Sequence, residues 1–173
     1  NPYFDVQRQA MTSLRHVHQI CLALEVIQVI ASMLVLAMSY FLSEEIMRMG
    51  FQLYAAFVYF FVSVFAHVVV YYVLLAMGRN VRSAYVSNPK LVEEWLVAAT
   101  SKLKNKILPF VVLHGLSLFL LVGLFAVTVS SSNTLRHVVA WVSLVLGVVS
   151  LVRIFFTLRR SNYYLTLFIR LED

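Results

Sequence analysis

One ionisable side chain lies well inside each of four apolar runs of this chain: Glu25, His67, His114 and Arg153. The stretch FAHVVVYYVLL, residues 65–75, sets His67 among apolar and aromatic neighbours. An imidazole in that setting has three uses: ligating a cofactor, forming part of a proton path, or being satisfied by a neighbouring polar group. Two neutral imidazoles from different helices are the arrangement that holds a b-type haem, one on each side of the ring. His67 and His114 fit that pattern as candidate axial ligands. Arg79 and Lys106, with Arg82 and Arg159, are the candidate propionate partners. A quinone could use His, Tyr or Arg near the same boundary.

The elements that must position these residues are four long apolar blocks at about 18–42, 51–77, 107–129 and 135–158. The chain is 61% hydrophobic and 13% charged, with a mean hydropathy of +0.84. Soluble domains are about 45–50% apolar and about 25% charged. Each block reaches the roughly 20 residues that cross a hydrocarbon core. Continuous apolar runs crossing lipid must be helices, because every backbone group needs an internal partner. The expected fold is therefore an all-α integral membrane protein, a single domain over 1–173. The first block is too long for a signal-peptide core and no small-residue cleavage pattern follows it, so it is expected to persist in the mature protein. A chain opening on Asn1 is expected to lack an N-terminal piece.

Charge sets the expected topology. Of the 14 Lys and Arg, most lie in the N-terminal segment, the 78–106 connection and the C-terminal tail. By the positive-inside rule both termini face the cytoplasm or its organellar equivalent. The two opposite connections, SEEIMRMG (43–50) and SSSNT (130–134), are short. An antiparallel up-down bundle is the simplest outcome. The +6 net charge is then a topological signal that also attracts anionic lipid at that face. A nucleic-acid partner is a poor reading of basic residues split over three segments.

The 78–106 connection predicts a helix of its own at about 89–105. Asn88 reads as its N-cap and Pro89 as its first residue. Glu93 and Glu94 sit near its start, and Lys102, Lys104 and Lys106 at its end. Leu91, Val92, Trp95, Leu96, Ala99 and Leu103 share one face. It is expected to lie in the interface with Trp95 as anchor, or against a partner subunit. The tail SNYYLTLFIRLED is expected to be interfacial or partner-bound. Val6, Ala10, Leu14, Val17 and Cys21 form one stripe, so the first helix is expected to start before the membrane.

At about 100° per residue, each span carries one polar stripe. These are His18, Glu25, Gln28, Ser32 and Ser39; Gln52, Tyr59, Ser63 and His67; His114, Ser117 and Thr128; and Ser143, Gly147, Ser150, Arg153 and Thr157. At ~1.5 Å rise per residue, Glu25, His67, His114 and Arg153 fall at comparable depth. The expectation is a buried polar network of Glu25, Gln28, Ser63, His67, His114 and Arg153, with Glu25 and Arg153 as an ion pair. The two-histidine layout resembles the membrane-anchor subunits of succinate dehydrogenases and related haem cytochromes. None of their stronger motifs occurs, so no membership follows from it.

No nucleophile elbow, zincin motif or phosphate-binding Gly loop is present. One cysteine and dispersed histidines argue against a soft-metal site. The expected role is thus a small membrane subunit or scaffold, joined to other membrane subunits or to copies of itself. A haem b or quinone subunit is the first alternative. A proton or ion path lined by Glu25, Gln28, His67 and His114 is the second.

Overall fold

The computed structural model describes residues 2–41, 45–90, 92–126 and 133–170. It contains five helices among them: α1 (Pro2–Phe41), α2 (Glu45–Ser87), α3 (Glu94–Ser101), α4 (Leu103–Ala126) and α5 (Asn133–Arg170). No strand occurs among the described residues. Four segments are long and apolar enough to cross a membrane: His16–Met38, Gly50–Ser87, Glu94–Phe125 and His137–Phe168. The side chains of Val6, Ala10, Leu14, Ser39, Arg48 and Arg136 lie outside the described residues, as do Leu91, Thr128 and the connections 42–44 and 127–132.

The helices outrun the apolar blocks. α1 is already helical at Pro2, and α2 continues ten residues past Met77 to Ser87. α5 continues through the tail to Arg170. Within that tail Leu165 and Phe168 are buried, whereas Tyr163 is exposed. Helical phase explains this split, since 165 and 168 are three apart on one face.

The 89–105 helix needs correction at both ends. The Asn88 amide closes the end of α2 by donating to the Ala84 carbonyl at 2.9 Å. Pro89 lies in a turn and the next helix starts five residues later, so Asn88 follows one helix and does not cap another. α3 begins at Glu94, with Glu93 in extended geometry at the N-cap and no side-chain cap bond. Near Lys102 the helix breaks, and α4 starts one residue later. Thr100 Oγ1 donates back to the Leu96 carbonyl at 2.9 Å, and Ser101 Oγ to Ala98 at 3.0 Å. Such back-bonding by Ser and Thr competes with the helical ladder and bends it. Lys104 therefore falls in the first turn of α4, and α4 carries Pro109 inside it.

Packing divides the chain into two compact units. One comprises residues 1–22, 68–108 and 153–173. Its interior holds Met77, Val81, Leu96, Leu103, Ile107 and Phe168. Trp95 is half exposed, donates its indole N–H to the Glu93 carboxylate, and meets the Tyr164 ring edge-on at 6.2 Å.

The other unit comprises residues 23–67 and 109–152. Its core joins Val29 and Leu36 of α1, Ala56 and Tyr59 of α2, Leu118 and Leu121 of α4, and Ala140 and Leu144 of α5. At one end Tyr40 stacks on His137, centroids 4.6 Å apart, and accepts the Trp141 indole N–H at 3.1 Å. Large apolar side chains also cover its outside, including Ile27, Phe61, Phe65, Phe119 and Val145. In lipid these cost nothing to expose, and helix association rests on close packing and interhelical hydrogen bonds.

Candidate functional site: a buried ladder of four side chains

The second unit encloses a chain of polar side chains from α1, α2 and α4. Glu25 Oε1 and His67 Nδ1 are 2.9 Å apart. His67 Nε2 and His114 Nδ1 are 2.8 Å apart. His114 Nε2 and the Tyr59 hydroxyl are 2.9 Å apart. Gln28 Nε2 donates to the second carboxylate oxygen, Glu25 Oε2, at 2.9 Å. Glu25, Gln28 and His114 are fully buried, and His67 and Tyr59 nearly so.

Local sequence explains how one helix pair holds both ends. Tyr59, Ser63 and His67 follow at four-residue steps on α2, so they stack along one face. Glu25 and Gln28 are three apart on α1 and so share a face. Gly147 on α5 makes the fourth wall: a Cβ there would meet His114 Nε2 at 3.2 Å and the Tyr59 hydroxyl at 3.4 Å. A side chain at 147 would press into the ladder, so the small residue gives the rings their room.

Proton bookkeeping fixes what the ladder can do. A neutral imidazole has one donor and one acceptor nitrogen. If Glu25 is ionised it only accepts, so His67 carries its proton on Nδ1. His67 Nε2 must then accept from His114 Nδ1, and His114 Nε2 from Tyr59. Every bond points toward Glu25. One added proton on the Glu25–His67 link reverses every bond toward Tyr59. The Tyr59 O–H must then find a further acceptor. Ser32 and Ser63 are its polar neighbours on that side. Ser63 Oγ makes no geometrically acceptable hydrogen bond among the described residues, whereas Ser32 Oγ donates to the Val29 carbonyl at 2.7 Å.

The expected site residues are placed unevenly. Glu25, Gln28, His67 and His114 come together, and Ser63 is fully buried in the same unit. Arg153 does not share their burial: it is exposed, in the unit containing residues 153–173. It lies toward the edge of a wide stripe, and a long guanidinium stem readily carries its head outward. The expectation of a buried arginine is thereby corrected. The two Glu25 oxygens are held by His67 and Gln28. Arg79, Arg82, Lys106 and Arg159 are all exposed.

The haem reading does not fit these side chains. A haem between two axial imidazoles needs both ligating lone pairs aimed at an iron lying between the rings. Here the two rings are bonded directly to each other, edge-on with centroids 5.1 Å apart, and their outer nitrogens are held by Glu25 and Tyr59. A quinone carbonyl likewise finds no uncommitted ring nitrogen on either imidazole. No group of three or more His, Cys, Asp or Glu arranged to hold a metal ion occurs among the described residues.

Two features had weaker signals in the sequence. Tyr59 lies on the α2 polar stripe, but nothing there marks it as the ladder's end. Ser161 extends the α5 stripe one turn beyond Thr157, and in the first unit it bonds His18 Nε2 at 3.1 Å and donates to the Met77 sulfur. No protein-family model matches the chain, and no curated protein or solved structure is significantly similar to it.

Proposed function

We propose that this chain is a small integral membrane subunit that anchors or stabilises a larger membrane assembly. In this reading its four spans run antiparallel, up and down, with both termini on the cytoplasmic or equivalent side. α3 lies in the interface on that side, anchored by Trp95. The observation that carries the reading is the closure of the ladder. Each nitrogen of His67 and His114 is engaged by another side chain of the same chain, so the two rings serve to hold helix register and offer no ring nitrogen to a ligand. Buried polar groups in a membrane that satisfy one another serve this role at modest energetic gain. The exposed apolar faces would then meet lipid and neighbouring subunits.

Native electrophoresis of gently solubilised source membranes tests this. The chain is expected in an assembly well above its own 19.8 kDa, and migration at its own mass would overturn the proposal.

A second reading, a proton-conducting component, is favoured by one observation: the unbroken alternation of donors and acceptors from Glu25 to Tyr59. In proteoliposomes carrying a pH dye, a flux through this route should vanish in Tyr59→Phe. A flux that survives, or none in the wild type, removes this reading.

A further inference from the structure

The first unit contains a cavity of about 250 Å³ whose walls come from the end of α2 and the α3–α4 junction. Leu75, Gly78, Arg79 and Arg82 form its α2 side, at the three- and four-residue spacing of a single helix face. Lys104 and Ser101 form the opposite side, and Leu74 contributes an apolar floor. The two sides approach closely at Gly78, where a Cβ would stand 3.4 Å from the Ser101 Cα.

Three cations thus border one small space with no acidic residue among its lining. None of Arg79, Arg82 and Lys104 is paired with a carboxylate among the described residues. Like charges gathered around one cavity repel unless an anion sits between them. The Ser101 hydroxyl already donates to the Ala98 carbonyl, which leaves recognition to the cations. Two guanidinium forks and one ammonium are the donor set suited to phosphate oxygens. The leucines extend the site toward the apolar run that ends at Met77, so a purely hydrophilic anion would leave that part of the cavity unfilled.

We infer that this cavity binds the phosphate of an anionic glycerophospholipid, with an acyl chain lying against Leu74 and Leu75. The inference rests on the reading of α2 and α4 as membrane spans, and not on the assembly role proposed above. It places one specific lipid site on a face whose basic residues otherwise act only as a diffuse attraction.

The test uses the full chain, delipidated in detergent and titrated with phosphatidic acid or phosphatidylcholine by native mass spectrometry. One phosphatidic acid is expected to bind in preference to phosphatidylcholine. The triple variant Arg79→Gln, Arg82→Gln, Lys104→Gln should lose about 100-fold in affinity, from about fivefold per cation. Arg159→Gln with Arg160→Gln, which removes charge elsewhere on the first unit, should stay within about twofold if binding is local. Equal loss in both variants would mean diffuse electrostatics and overturn the site, as would equal binding of the two lipids. Displacement of the lipid by inorganic phosphate at matched concentration would reassign the cavity to a free anion and overturn the lipid assignment. Unchanged melting and monodispersity of the triple variant show that it has folded. Electrophoresis of the native assembly reads the separate proposal, so either can fail alone.

Discussion

His67 Nε2 and His114 Nδ1 are 2.8 Å apart, with a single proton between them. Their outer nitrogens are held by Glu25 and Tyr59, so the tautomer of one ring dictates that of the other. Neutral rings must both carry the proton on Nδ1, or both on Nε2. One of each would set two donors or two acceptors face to face and break the central bond. Nitrogen-15 histidine spectra of Glu25→Gln should therefore show His67 and His114 both as Nε2–H tautomers. In that variant the new amide accepts from Gln28 and donates to His67 Nδ1, which orients every bond toward Tyr59. Opposite tautomers on the two rings would refute the ladder.

Stability should separate the two substitutions at Glu25. Glu25→Ala strands both His67 Nδ1 and the Gln28 amide in the interior. Each unsatisfied buried group costs about 1–3 kcal/mol, so a loss of about 3 kcal/mol is expected. Glu25→Gln keeps both bonds and should stay within about 1 kcal/mol of the parent. Chemical denaturation in mixed micelles measures both. Equal losses would show that the carboxylate's charge, and not its hydrogen bonding, carries the effect.

The helices were legible in the sequence because apolar run length alone marks a span. The approximate level and face of Glu25, His67 and His114 also followed from helical phase and rise. What did not follow was the partner of each group. Periodicity gives an azimuth to within tens of degrees, and an arginine stem can carry its charge out of the interior from the edge of a stripe. That is why Arg153 is exposed. The start of α3 differs for a separate reason: Asn88-Pro89 suits a helix start, but residues 89–90 form a turn and α3 begins only at Glu94, with Glu93 at its N-cap. A cap-and-proline pattern marks where a helix can begin, not that the next turn continues as one.

Gly147 should report on the ladder through a change of sign. In a helix interior, Gly→Ala is worth about 1 kcal/mol of stabilisation. At 147 the new Cβ would stand 3.2 Å from His114 Nε2 and 3.4 Å from the Tyr59 hydroxyl, forcing that link to lengthen. Gly147→Ala is therefore expected to yield no gain, or a small loss. In a His114→Ala background the tightest contact is gone and the Tyr59 hydroxyl is freed from its ring partner, so the same change should stabilise by up to about 1 kcal/mol. A stabilising effect of equal size in both backgrounds would show that the glycine does not make room for the ring.

The cofactor question has its own spectrum. With the two imidazoles bonded to each other, protein purified from haem-replete cells should show no Soret band that depends on His67 and His114. Haemin added to the purified protein should give none either. A band abolished in both His67→Ala and His114→Ala would mean that the rings part to admit the macrocycle, and would restore the haem reading.

The first unit offers an independent check on whether its polar groups only hold helices together. Ser161 has one hydroxyl proton and two neighbours, His18 Nε2 and the Met77 sulfur. With that proton directed at sulfur, His18 Nε2–H would donate to Ser161; His18 Nδ1 is the ring atom with no hydrogen-bond partner. A thioether is a weak acceptor, so Met77→Leu, which keeps the volume, should cost under about 1.5 kcal/mol. Ser161→Ala removes the acceptor of a buried ring N–H and should cost about 1–3 kcal/mol. Thermal unfolding of both variants in the same micelle gives the order. If Met77→Leu proves the costlier change, the Ser161 hydroxyl does not hold the His18 ring, which is then held by packing.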